Sequence, residues 1–241
     1  MARLDRMGRM HNSDNLNCQK VLADSLFTPD QFLRPLEAIR LEHDRQLLIC
    51  ERLLQLANDQ ELGPVAQEME TLLAFLTRDL PLHAMDEEED LFPLMKLRCH
   101  PGDGFDAVLA QLEFEHSVEK VLAFHIVIDL QEIAGARALS SSMRIFADLR
   151  SFTECQQRHL AWENGMVLPL AGKWLTPADL AEMGRNMAAR RGITVIPQNV
   201  DSHGFSRVWA LDRWSRSHDP YPSIDPVPGE FLLCLQITLI S

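Results

Sequence analysis

The sequence predicts an all-α protein: an antiparallel four-helix bundle with one short extra helix and an irregular C-terminal tail. Three observations carry that prediction. Four stretches in the middle of the chain repeat apolar residues with a helical period, and the breaks between them are short. Two of the stretches share one pattern: His83-Ala-Met-Asp-Glu87 followed by Leu91-Phe92-Pro93-Leu94, and His159-Leu-Ala-Trp-Glu163 followed by Val167-Leu168-Pro169-Leu170. Beyond residue 193 the period is lost, and prolines, serines and lone aromatics take over.

The elements follow in order. Leu36, Ile39, Leu47, Cys50 and Leu54 form a stripe on a first helix from Pro35 to about Ala57, and Pro35 suits a first turn. Gly63-Pro64 ends it and opens a second helix, about Val65 to Leu97, with Leu72, Leu76, Leu80 and Leu91 on one face. Pro81 inside this helix is expected to kink it or remove one hydrogen bond. Asp103 in the turn His100-Pro-Gly-Asp-Gly104 is a candidate N-cap for a third helix, Phe105 to Ala134. Leu109, Leu112, Ala123, Val127 and Leu130 face inward there, and Gly135 is placed to end it. Ser140 to Ser142 cap a fourth helix, which carries Ile145, Leu149 and Phe152 inward and runs to about Leu170. Thr176-Pro177-Ala-Asp179 is a capping signature for a fifth helix ending near Arg191, before Gly192.

The implied organisation is a partly disordered extension over 1–31, the bundle over 32–172, a short helix over 173–192 and the irregular tail over 193–241. The apolar end Phe231 to Ile240 is too short to span a bilayer and reads as a strand or an adhesive segment.

Charge narrows the function classes. A net charge of −12 argues against a nucleic-acid or anionic-membrane partner. No apolar run reaches transmembrane length, and the arginines near the N-terminus precede no apolar stretch, so a cytoplasmic location is expected. The 5 cysteines are scattered and never spaced C-x-x-C, which excludes a zinc ribbon and a disulfide framework.

Helix phasing places the chemistry. His43 lies four residues after Ile39 and seven before Cys50, on the buried stripe of the first helix. His83 follows Leu80 by three, His116 follows Leu112 by four and His159 follows Phe152 by seven, so each helix turns one histidine inward. Glu87 and Glu163, four residues after their histidines, join them on the same faces. Six such groups left unpaired in an apolar core would cost several kcal/mol, and a metal accepts all their lone pairs. Imidazole with carboxylate suits iron, manganese or zinc. Two glutamates from facing helices can bridge two ions about 3.5–4 Å apart.

With His43, His83-x-x-x-Glu87, His116 and His159-x-x-x-Glu163 in that order, and Glu87-Glu-Glu-Asp-Leu-Phe-Pro93 after the second histidine, the chain resembles the hemerythrin-like (HHE cation-binding) domain family over about residues 32–172. The resemblance implies a non-haem di-iron centre. His43 and His83 would bind one iron, His116 and His159 the other, and Glu87 and Glu163 would bridge them. It departs from the oxygen-carrying members at Lys120, where they have a second histidine four residues after the one on the third helix. That removes simple oxygen carriage and leaves an open position, or one into which Glu115 or Glu119 leans.

The expected function is therefore binding or sensing of oxygen, nitric oxide or redox state. The alternatives are an enzyme acting on peroxide or nitric oxide or repairing iron–sulfur centres, and a metal-stabilised module that regulates a protein partner through its C-terminal tail. Glu42 and Glu115, each just before an inward histidine, read as imidazole acceptors or as a solvated face. In the acidic run Asp86 to Asp90, only Glu87 is expected inward. Cys155 reads as buried and structural, Lys120 as a surface lysine, Trp162 and Met166 as walls, and His125 as pointing away. His11, His100, His203 and His218 fall in loops or tails.

Overall fold

A computed structural model describes residues 27–59, 66–100, 102–134 and 142–195, and every regular element among them is helical. The expectations for residues 1–26, 60–65, 101, 135–141 and 196–241 lie outside the described residues. These include the start and the tail, Gly63-Pro64, Gly135, Ser140, Cys18, Cys234, His11, His203 and His218. All of the helices fall within one compact unit. A 3-10 turn, Pro29–Leu33, leads into α1, Pro35–Asp59. Then come α2 (residues 66–98), α3 (Phe105–Ala134), α4 (residues 142–174) and α5 (Pro177–Arg190). In the linker before α3, Gly102 and Gly104 have φ of 94° and 76°, which suits residues without a Cβ.

Prolines shape α2 and α4 in an unexpected way. Pro81 neither ends α2 nor leaves a gap in it. The helix widens into a π turn, Phe75–Asp79, and the Leu80 N–H reaches back five residues to the Phe75 carbonyl. The same device precedes Pro93, where Phe92 bonds to Glu87 across the π turn Glu87–Leu91. It precedes Pro169 as well, where Leu168 bonds to Glu163 across Glu163–Val167. A proline ring collides with the carbonyl four residues back and offers no N–H. Shifting one bond to i−5 takes that carbonyl out of its way and lets the helix continue. Two of the three π turns begin at the inward glutamates, so the recurrence of proline after each His-x-x-x-Glu is a structural feature of the site. Helix α4 consequently runs on to Trp174, past its expected end near Leu170.

Side-chain bonds set the helix pairings. Arg150 of α4 donates to the Ala57 carbonyl of α1, and Gln156 to Gln46, so α1 and α4 run in opposite senses. Arg144 with Asp129 and Arg158 with Glu115 give α3 and α4 the same relation. Lys96 with Glu113 and Glu88 with His116 do so for α2 and α3. Burial then alternates along each helix. Ile49, Leu53, Leu72, Phe75, Ile126, Leu149 and Phe152 make one apolar cluster. Ile39, Leu91, Phe92, Met95, Leu109 and Val167 make another, with Phe32 from the 3-10 turn. On all four long helices the polar residues around 43, 83–87, 116 and 159–163 fall in the sequence between the two clusters.

Helix α5 is built into this unit. Its capping box forms as the sequence signature implies: the Asp179 N–H donates to Thr176 Oγ1 at 3.2 Å, and the Thr176 N–H to Asp179 Oδ2 at 2.8 Å. Arg98 forks onto both Asp179 oxygens and holds that carboxyl down to about 2. Met183 and Met187 are buried in the second apolar cluster. Gly184 lies directly over the Phe32 carbonyl, with which an added Cβ would collide. The expected outcome for Gly184→Ala is a loss of about 1–3 kcal/mol. Thermal unfolding should show a lowered Tm, and an unchanged Tm would refute this tight approach.

Candidate metal centre

The six side chains singled out by phasing converge in one buried layer, and none is more than 3 % exposed. His43, His83, Glu87 and Glu163 each present one ligand atom within 4.8 Å of the others, and so do Glu87, His116, His159 and Glu163. The two groups share both glutamates. His43 Nε2 stands 3.3 Å from Glu87 Oε1 and 3.3 Å from Glu163 Oε2. His83 Nε2 is 3.4 Å from Glu87 Oε1, His116 Nε2 is 3.3 Å from Glu87 Oε2, and His159 Nε2 is 3.2 Å from Glu163 Oε1. All four imidazoles thus aim Nε2 at the carboxylates.

The other ring nitrogens are held from outside the layer. His43 Nδ1 donates to Asn164 Oδ1 at 2.9 Å, His116 Nδ1 to Glu88 Oε1 at 2.9 Å, and His159 Nδ1 to Glu115 Oε2 at 3.2 Å. Each bond fixes the tautomer that leaves Nε2 as the inward ligand atom. Glu115 is thereby an imidazole acceptor, one of its two expected readings. Glu42 turns instead to Arg45, at 3.4 Å. Glu88 and Asn164 are partners that phasing missed, because residues next to a glutamate lie about 100° around a regular helix. Their signal was the repeat itself, since each directly follows an inward glutamate at the head of a π turn.

The acidic run is less solvated than expected. Asp86 and Asp90 are buried, and together with Glu89 they are held by α5. Arg190 donates to Asp86, Glu89 and Asp90, Arg191 pairs with Asp86, and Asn186 donates to Asp90. The cationic end of α5 therefore clasps the π turn that begins with Glu87. Cys155 is buried and Lys120 is exposed, 3.5 Å from Glu88. His125 stays off the layer, 3.9 Å from Asp148.

Electrostatics suit a cation. Burial drives His83 down to about 3, so it is neutral at pH 7. Burial would also lower His43, but its bond to Glu87 and the Glu163 charge outweigh that and raise it. His116 rises through Glu87 against its burial, and His159 rises through Glu163 and Glu115 against its own. Burial would lift Glu87, yet the surrounding histidines hold it well below the usual carboxylate range. Five ligand-type atoms still have no hydrogen-bond partner: His83 Nε2, His159 Nε2, Glu87 Oε2 and both Glu163 oxygens. Each unmet buried group costs about 1–3 kcal/mol, and a divalent cation in each of the two ligand groups would meet them together. A cleft of about 250 Å³ between α2 and α3 reaches His83 and His116 and has mainly apolar walls.

The comparisons with known proteins agree with this geometry. The family model described as the hemerythrin HHE cation binding domain matches residues 34–171. A Haemophilus influenzae protein described as uncharacterized is 26 % identical over 176 residues, covering 70 % of this chain and 98 % of that one. No solved structure gives a significant match.

Two outcomes are expected of this layer. Replacing Glu88 or Glu115 by Gln should weaken metal affinity about 10- to 100-fold, while His125→Ala leaves it unchanged. Metal titration followed by calorimetry checks both, and equal losses in all three variants would contradict the arrangement. The second concerns pH. Because His43, His116 and His159 are raised, the metal-free protein holds protons that a cation must displace. Zinc affinity should therefore climb as pH rises from 6 through 8, with proton release measurable in buffers of different ionisation enthalpy. A flat profile would refute the assignment of these groups.

Proposed function

Because the chain belongs to the hemerythrin HHE cation-binding domain family, we propose that it holds two iron ions in one centre and uses them to bind or sense oxygen, nitric oxide or redox state. One observation carries the reading: two four-residue ligand groups share both glutamates. In it His43 and His83 hold one ion, His116 and His159 the other, and Glu87 and Glu163 bridge them. The donor set has imidazole and carboxylate only, which suits iron and also admits manganese or zinc. Bound iron would supply one-electron redox steps and open positions for a small ligand.

The chain does the rest. Asn164, Glu88 and Glu115 orient three imidazoles, and the two apolar clusters exclude water above and below the layer. The opposed senses of α1 with α4, α3 with α4 and α2 with α3 support an antiparallel four-helix bundle, the architecture such a centre needs. The position four residues after His116 is Lys120, so the third helix supplies one histidine and reversible oxygen carriage is disfavoured. The enzymatic alternative, chemistry on peroxide or nitric oxide, draws support from the cleft that reaches His83 and His116. No helix among the described residues is long and apolar enough to cross a membrane.

Protein from iron-replete cells should contain two iron ions per chain and absorb in the near-ultraviolet. Metal analysis giving less than one ion per chain would sink the proposal. His83→Ala and Glu163→Ala should each lower iron content by half or more, read by the same analysis against wild type.

A further inference from the structure

A second buried polar group adjoins the metal layer, and the ligand set does not use it. Gln46 lies three residues after His43, Glu119 three after His116, and Gln156 three before His159. None of the three is more than 2 % exposed. Gln156 Nε2 donates to Gln46 Oε1 at 2.6 Å, which leaves Gln46 Nε2, Gln156 Oε1 and Glu119 Oε1 without partners. Glu119 and Gln156 line the same cleft as His83 and His116. The other cleft walls include the apolar Leu76, Leu80, Ala123 and Val127, with Thr77, which donates to the Leu73 carbonyl, and Lys120, which pairs with Glu88.

The chemistry of the wall selects among small molecules. A linked amide pair can reverse as a unit, which would exchange the free acceptor at Gln156 for a donor. In the observed sense Gln156 Oε1 and the Glu119 carboxylate both accept and require a guest that donates, and with the pair reversed they require one that donates and accepts. Water meets that need, and so does a small protic molecule that takes its place. Dioxygen or nitric oxide displacing water would leave both groups buried and unpaired. Sites built to hydrogen-bond a guest discriminate strongly against analogues that lack the matching groups.

We infer that this cleft is a subsite for a small protic oxidant of the hydroperoxide class, held by Glu119 and Gln156 beside His83 and His116 and disfavouring dioxygen and nitric oxide. The inference narrows the reading of the metal centre to its redox and peroxide branch, away from oxygen and nitric oxide, and rests on the two-ion centre for any chemistry after binding. The subsite itself consists of the chain's own side chains.

The experiment uses hydrogen peroxide as probe and the side-chain amide resonances of Gln46 and Gln156 as readout. It is run on metal-free and on zinc-loaded protein, neither of which turns the probe over at iron. Saturable shifts are expected in wild type and in Glu119→Gln, which keeps a hydrogen-bonding group. In Glu119→Leu and Gln156→Leu the affinity should fall on the order of tenfold or more. Iron-loaded, reduced protein gives the selectivity. Glu119→Leu should slow oxidation by hydrogen peroxide on the order of tenfold, and oxidation by dioxygen by no more than about twofold. Absent shifts in both forms mean that the cleft holds water only, and they overturn the inference, as does equal slowing with the two oxidants. Failure of iron to load would overturn the di-iron reading instead, and the amide shifts would still decide the subsite.

Discussion

The structure is organised around one electrostatic problem: four imidazoles and two carboxylates sealed between two apolar clusters. Apart from the cleft that reaches His83 and His116, apolar side chains enclose them, so they must satisfy one another or share a cation. Among themselves they do so poorly, with contacts of 3.2–3.4 Å and five atoms left over. Buried polar networks of this kind destabilise a fold when half satisfied and rigidify it when complete. The surrounding polar residues make sense in that light. Asn164, Glu88 and Glu115 hold rings in place from behind, and the α5 arginines steady the turn from which Glu87 projects.

The centre also shows how a repeated motif can lose its symmetry. The residue after each shared glutamate serves a histidine of another helix: Glu88 of α2 binds His116 of α3, and Asn164 of α4 binds His43 of α1. The residue before His116, Glu115, binds His159. The matching bond would run from Glu42 to His83. It is replaced by a bond from Arg45, which also reaches Asp79 at 2.8 Å, and the position matching Arg45 on α3 is Val118. One buried cation thus diverts a whole arm of the pattern. The two halves of the layer consequently differ in what stands behind them, a neutral amide at His43 against carboxylates at His116 and His159.

Much of this was legible in the sequence, because periodicity alone places His43, His83, Glu87, His116, His159 and Glu163 on inner faces. The all-α class and the capping box of α5 follow from equally local signals. What was not legible depends on partners distant in the chain. Asp86 and Asp90 look solvated until Arg190 and Arg191 arrive from about a hundred residues away. Glu88 and Asn164 look misdirected until the helix widens at their positions. Glu119 and Gln156 carry no motif, and they acquire meaning only when the cleft brings them beside His116 and His83.

The π turns have an evolutionary consequence as well. Such a turn accommodates one residue more than a regular helix over the same length. Each of the three therefore amounts to a single-residue insertion absorbed in place, and proline follows the first residue of each at the same interval: Phe75 to Pro81, Glu87 to Pro93, Glu163 to Pro169. Deleting one residue from such a turn would restore a regular helix with both flanks in register, whereas deleting one from a regular turn would rotate everything beyond it by about 100°. In the first case the ligands before the turn and the apolar face after it would keep their relation, and in the second that face would swing away from the core. The interval between glutamate and proline is thus a length marker under packing constraint, and related chains can keep or lose the turn only by changing that count.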